Sequence, residues 1–282
     1  MSNWQLPEDF RHLHSGKVRD LYETATDTLL MVASDQISAF DFILPTIIPN
    51  KGKILTEISL FWFNRLAVPN HLISTIVPSE VAGRAIEVKK LKMLPIECVV
   101  RGYLTGSAWL EYQVNQSVCG IKLPAGLVNG SKLAAPIYTP ATKAQQGDHD
   151  ENISFDQSVE ILGNKLATQV METSISIFNQ AQQILNSAGF TLIDTKFEFG
   201  LDAAGVLTLA DEALTPDSSR YCNTAEMTPD KLAPSFDKQL VRNWLLENWD
   251  KDAGTPPPEL PTEIVKLTQA RYQEVLDRLK QL

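Results

Sequence analysis

The first hundred residues carry short apolar runs of strand length. Residues 28–33 form one, and 42–48 form a second in which Pro45 marks an edge or a bend. Runs at 71–77, 85–91 and 94–101 read as further strands. Within 85–91 the alternation is plain: Ile86, Val88 and Lys90 on one side, Glu87, Lys89 and Leu91 on the other. Residues 53–67 instead have helical spacing, with Leu55, Ile58, Trp62 and Leu66 on one stripe. Residues 102–152 carry glycines, prolines and polar residues without a sustained period, and read as a long functional loop.

The longest helical pattern covers 154–187. Ser154 and Gln157 have capping-box spacing, Gly163 interrupts the pattern and Gly189 stands where a stop is expected. Strands at 191–199 and 206–211 follow, joined by a turn bounded by Gly200 and Gly205. Three prolines at 256–258 make a stiff connector. Beyond them, 262–282 places Ile264, Leu267, Tyr272, Val275 and Leu279 on one helix face. No internal repeat is visible. Strands first and helices later predict an α+β class with antiparallel sheets and C-terminal helices.

Alternation separates packing from chemistry in the strand at 191–199. Ile193, Thr195, Phe197 and Phe199 form a mostly apolar face, and Leu192, Asp194, Lys196 and Glu198 form the other. Same-face neighbours lie about 6.5–7 Å apart, so carboxylate, ammonium and carboxylate stand in a row. Such a row suits a hard cation and a phosphate; a solvated strand face is the alternative. If Gly200 pairs with Gly205, Asp211 of the next strand shares that face but sits opposite Asp194 rather than Glu198. Joint ligation by Glu198 and Asp211 then requires a longer turn, a bulge or bridging water.

Three more segments suit anions or polar rings. SGKVRD (15–20) places Gly16 before Lys17 and Arg19, a glycine followed by cations that can meet a phosphate or simply form a basic hairpin. SDQISAFDF (34–42) offers Ser34, Asp35, Ser38 and Asp41 around Phe40, for hydrogen bonds and stacking or for local turn caps. LPIECVVRGYLTGS (94–107) sets Arg101 at a strand end before Tyr103, Thr105 and Ser107, suited to a phosphate or to a surface ion pair. There is no Walker-type loop and no GxGxxG.

Composition narrows the field. A 282-residue chain with 44% apolar residues can build one large domain or two modest lobes. Its net charge of −9 argues against a broad nucleic-acid surface. Cys98, Cys119 and Cys222 are odd in number with no CxxC, so neither a disulfide framework nor a cysteine-rich zinc site is expected. The histidines have no metal-ligand spacing; His12, His14 and His71 read as surface or hydrogen-bonded residues. No secretory signal opens the chain, and no window reaches the roughly 18 apolar residues that span a bilayer. A cytoplasmic protein with no membrane or nucleic-acid partner and no obligate protein partner is expected.

LPIECVVRGYLTGS (94–107) and LIDTKFEFG (192–200) closely resemble the signature segments of the phosphoribosylaminoimidazole-succinocarboxamide synthase, or SAICAR synthetase, family. GKVRDLYE (16–23), SDQISAFD (34–41) and DEALTPDSSRY (211–221) are also similar to it. The matches run in order over residues 16–221; beyond about 229 no motif is usable. The resemblance implies a ligase of purine biosynthesis that uses ATP and Mg2+. It would join L-aspartate to carboxyaminoimidazole ribonucleotide through an acyl phosphate.

It also implies a two-lobed ATP-grasp-like, kinase-like fold: a mostly-β lobe with the phosphate loop at 1–95, then an α+β lobe at 96–282 with the metal strands and, at 229–282, C-terminal helices. By the same resemblance Gly16, Lys17, Arg19 and Lys196 would meet the ATP phosphates, with Glu97 and Val99 edging the adenine. Lys196 is the catalytic candidate. Glu198 and Asp211 would serve magnesium, with Asp194 outside them. Arg101, Ser107 and Arg220 would hold the ribonucleotide phosphate. Ser34, Asp35, Ser38, Asp41 and Asp217 would face the ribonucleotide or aspartate, as would Lys143 and Asp150. Two alternatives stay open: a small-molecule kinase, which would form ADP without an amino acid, and a nucleotide sensor, which would not need Lys196, Glu198 and Asp211 together.

Overall fold

A computed structural model describes residues 4–143, 151–228 and 232–282. Two antiparallel sheets dominate. The first is ordered β1 (Arg11–Ser15), β2 (Arg19–Glu23), β3 (Leu29–Ala33), β7 (Ala85–Val88), β6 (Leu72–Ser74), with a separate hairpin of β4 (Gln36–Ala39) and β5 (Phe42–Ile47). The central run Leu29–Ala33 is apolar throughout because helix α1 (Lys51–Arg65) packs on it. Gly52 permits that approach: a Cβ there would lie 2.4 Å from the Ala33 carbonyl oxygen.

The second sheet is built on β9 (Ile96–Tyr103) and β14 (Phe190–Leu201). β12 (Lys132–Tyr138) and β13 (Ala141–Thr142) pair with β9; β8 (Lys92–Met93), β15 (Leu207–Ala210) and β16 (Ser219–Asn223) pair with β14. β10 (Ser117–Val118) and β11 (Ile121–Lys122) form a small hairpin after α2 (Ser107–Asn115). α3 (Phe155–Leu162) and α4 (Asn164–Ser187) follow, and α4 covers β14, β9 and β12. Trp62, Ile86, Val100, Ile177 and Phe197 belong to one continuous buried cluster that spans both sheets. α5 (Gln239–Asn248) and α6 (Thr262–Leu279) close the chain. α5 and Leu260 bury Ile37, Leu44 and Ile48 of the β4–β5 region under Val241 and Leu245.

Three sequence expectations need correction. Residues 102–152 are not a single loop, since they hold α2 and β10 to β13; these elements are too short to show a period, and the apolar contacts of α2 come from Ala108, Trp109 and Tyr112. The hairpin register differs too. β14 runs through Gly200, Asp202 accepts the turn's amides, and Glu198 pairs with Ala210, so Asp211 lies next to Glu198 rather than opposite Asp194. Lastly, Leu267 of α6 faces outward at 44% exposure, and Thr268 takes the buried position beside Tyr272, Val275 and Leu279.

The interruption at Gly163 and the Ser154–Gln157 capping box are both present, each side chain bonding the other's backbone amide. Ser154→Ala should therefore cost about 1 kcal/mol of stability, read as a lower urea midpoint at an unchanged slope.

Candidate active site

Strand pairing builds the site as rungs. Asp194 of β14 is flanked by Arg101 on β9 and Arg220 on β16, opposite charges directly across the sheet. Arg220 donates to Asp194 at 2.6 Å and Arg101 stands 3.6 Å away. Arg101 also donates to Thr139 at 2.9 Å and to Ser107 at 3.1 Å, at the start of α2. Burial pulls the Arg101 guanidinium pKa down, opposed by Asp194, whereas Asp194 pushes that of Arg220 up. Gly106, with φ +59°, makes room: a Cβ there would meet the Arg220 guanidinium at 2.9 Å. Two guanidiniums, a hydroxyl and the α2 N-terminus thus converge on one edge of a cleft lined also by Val99, Lys196, Ser218, Asp237 and Arg242.

Further along the same face, Lys196 lies opposite Val99 and bonds Glu97 at 2.8 Å and Glu198 at 2.7 Å. Lys143 reaches Glu198 at 2.5 Å. Burial disfavours the Glu198 carboxylate, but Lys196 and Lys143 outweigh it and hold the pKa at about 2. Burial likewise disfavours the Lys196 ammonium, and Glu198 and Glu97 more than restore it. Asp211 adopts φ 57° beyond β15. Burial raises its pKa; Arg19 opposes this, and Glu198 and Glu212 add to it. Arg19 bridges Asp211 at 3.2 Å and Glu212 at 2.5 Å.

Gly16 turns the β1–β2 hairpin, its amide bonding the Arg19 carbonyl at 2.7 Å. Lys17 pairs with Asp41 at the exposed rim. Asp35 is occupied inside the fold: it takes the Gly52 amide at 2.9 Å and Arg84 at 3.0 Å. Ser34 donates to the Val18 carbonyl at 3.0 Å, and Ser38 sits in β4 against Ile43. Asp150 lies outside the described residues.

The motif segments do not contain several groups that complete the site. Asp217 is inward-facing, 2.7 Å from Lys51 of α1 and 3.6 Å from Lys238, and it accepts the Tyr272 hydroxyl at 2.7 Å. Burial would raise its pKa, but Lys238 and Lys51 hold it below the usual carboxylate range. Asp237 takes Arg242 at 2.9 Å and approaches Arg220 at 3.6 Å. The only signal for Asp237, Lys238 and Arg242 was charge gathered at the start of an amphipathic helix. Around this cleft, five cations (Arg101, Arg220, Arg242, Lys51, Lys238) meet three carboxylates (Asp194, Asp217, Asp237). Cations outnumber carboxylates here, which suits an anion.

Glu198 and Asp211 fit a magnesium ion by their donors: two hard carboxylates on adjoining strand positions whose mutual repulsion a divalent cation would relieve. Among the described residues no larger acidic, histidine or cysteine cluster could cage a metal. Cys98, Cys119 and Cys222 are free and buried, their thiols pushed up to about 12 chiefly by burial. No helix among the described residues is long and apolar enough to cross a membrane.

A family model described as SAICAR synthetase matches residues 12–256. The phosphoribosylaminoimidazole-succinocarboxamide synthase of Corynebacterium ammoniagenes is 53% identical over 96% of this chain and 94% of its own. The protein of that name from Thermobifida fusca is 50% identical over 95% and 90%. Among solved structures, SAICAR synthase from Saccharomyces cerevisiae complexed with SAICAR has a TM-score of 0.88 at 38% identity, covering 100% of this chain and 98% of that one. A type-2 SAICAR synthetase in complex with ADP has a TM-score of 0.72 at 25% identity, over 95% and 97%.

Lys51→Met should destabilise the fold by roughly 3 kcal/mol, because it strips a buried carboxylate of its nearest counter-charge. Equilibrium denaturation at neutral pH checks this, and a loss below about 1 kcal/mol would show that Lys238 and Tyr272 suffice to hold Asp217.

Proposed function

The chain belongs to the SAICAR synthetase family, and from that premise and the cleft's geometry we propose that it ligates L-aspartate to the carboxylate of carboxyaminoimidazole ribonucleotide. ATP is consumed, and ADP and phosphate are released. The observation that carries the reading is the rung Arg101–Asp194–Arg220 beside the row Lys196–Glu198–Asp211. An anion site rich in cations adjoins a phosphoryl-transfer set.

A free carboxylate is a poor acyl donor because its leaving group would be oxide. In the first step a carboxylate oxygen attacks the γ-phosphorus of ATP, the bond to the β,γ-bridging oxygen breaks, and an acyl phosphate and ADP result. In the second, the aspartate amine attacks the acyl carbon, phosphate departs with the oxygen it acquired, and the nitrogen loses a proton. The protein's task is to hold three anions together and offset charge on the transferring group. Arg101, Ser107 and Arg220 take the ribonucleotide phosphate. Lys196 meets the transferring phosphoryl group, and Gly16, Lys17 and Arg19 meet the rest of the triphosphate. Glu97 and Val99 edge the adenine. Asp217, with Ser34, Asp35, Ser38, Asp41 and Lys143, shapes the ribonucleotide and aspartate side.

Glu198 and Asp211 would hold Mg2+, which would supply charge neutralisation at the transferring phosphoryl group. We assign residues 1–95 and 96–282 to two lobes of an ATP-grasp-like, kinase-like architecture. The change of sheet between β7 and β8, a few residues before that boundary, supports the division. Small molecules suffice as partners for this chemistry, which belongs in the cytoplasm.

Purified protein with magnesium should release phosphate only when ATP, the ribonucleotide and aspartate are all present. Glu198→Gln or Asp211→Asn should lower kcat by about a hundredfold or more. ADP formed without aspartate would favour a kinase, and full activity in both variants would remove them from the metal site.

A further inference from the structure

The matched family region ends at residue 256, and α6 begins at Thr262. Yet α6 reaches the cleft. We infer that Tyr272 is a positioning residue of the active site, its hydroxyl fixing the Asp217 carboxylate and thereby the turn that presents Ser218, Ser219 and Arg220 to the ribonucleotide. The inference rests on the functional reading above.

Tyr272 is fully buried, and its ring packs with the apolar side of α6. Packing alone would be served by phenylalanine. The hydroxyl instead donates to Asp217 Oδ1 at 2.7 Å, while Oδ2 faces Lys51 at 2.7 Å and Lys238 at 3.6 Å. Helices α1 and α6 and the residue before α5 therefore fix one carboxylate from three sides. Asp217 and the residues after it line the cleft, and Ser218 accepts the backbone amide of Lys196 at 2.8 Å. A shift of Asp217 is thus passed to both Arg220 and Lys196.

The neighbouring residue acts in the same direction. Arg271 donates to the Ser235 carbonyl at 2.9 Å, and the Ser235 hydroxyl bonds Asp237, the carboxylate between Arg220 and Arg242. Consecutive residues of the last helix thereby hold the two acid-bearing segments that orient the cleft's cations. Without the tyrosine hydroxyl, Asp217 keeps only its lysines and turns towards them. Misplacement of a positioning group by an ångström is enough to weaken binding and catalysis markedly.

Calorimetric binding of the succinocarboxamide ribonucleotide product tests this, because the product carries both the ribonucleotide phosphate and the aspartyl group. Tyr272→Phe should weaken the product about tenfold, the size of one hydrogen bond to a charged group, and leave ADP with magnesium within about twofold. In steady state the KM for the ribonucleotide should rise by more than that for ATP. Thr268→Val is the control: it deletes a buried α6 hydroxyl that donates to its own helix, at the Ile264 carbonyl. It should lower stability and spare affinity. Wild-type affinity in Tyr272→Phe, or losses in both variants that track stability, would overturn the inference. Wild-type protein that does not bind the product would overturn the functional reading, and this inference with it.

Discussion

Glu97, Asp194, Glu198 and Asp211 are crowded onto neighbouring positions of β9, β14 and the end of β15, where water is largely excluded. Carboxylates so placed raise one another's pKa unless cations stand among them. Arg101 and Arg220 bracket Asp194, Lys196 joins Glu97 to Glu198, and Arg19 spans Asp211 and Glu212. The sheets, the glycine turn and the helix starts are arranged so that these cations arrive from different parts of the chain. Towards Arg242 and Lys238 the balance tips to positive, and the cleft there is complementary to an anion it does not itself supply.

Period-two alternation made β14 readable, since its apolar positions Ile193, Phe197 and Phe199 are all buried and its charged positions Asp194 and Lys196 line the cleft. The partner register was not readable. It depended on a turn in which Asp202 captures the amides of Ala204 and Val206, which lengthens the connection beyond what the two glycines suggested. Glu198 and Asp211 therefore become neighbours without a bulge or bridging water. The stretch after Gly102 failed for another reason: its helix and strands are short and held by tertiary contacts rather than by local pattern.

Site residues divided along similar lines. Arg101, Asp194, Lys196, Glu198 and Arg220 sit within recognisable segments, and pairing alone brings them together. Asp35 reads identically as a turn cap or a ligand group, and its bonds to Gly52 and Arg84 are visible only in three dimensions. Lys51, Lys238, Arg242 and Tyr272 carry no motif at all. Lys51, Lys238 and Tyr272 act because α1, the residue before α5 and α6 end up packed around Asp217, at sequence separations that no local pattern encodes.

The central claim is that this charge arrangement serves to phosphorylate a carboxylate before an amine displaces the phosphate. Oxygen tracing tests it most directly. With the ribonucleotide carboxylate labelled with oxygen-18, complete turnover should place one labelled oxygen in each phosphate released, seen by mass spectrometry or by the isotope shift of its phosphorus resonance. Phosphate free of label, formed alongside the succinocarboxamide, would contradict the account.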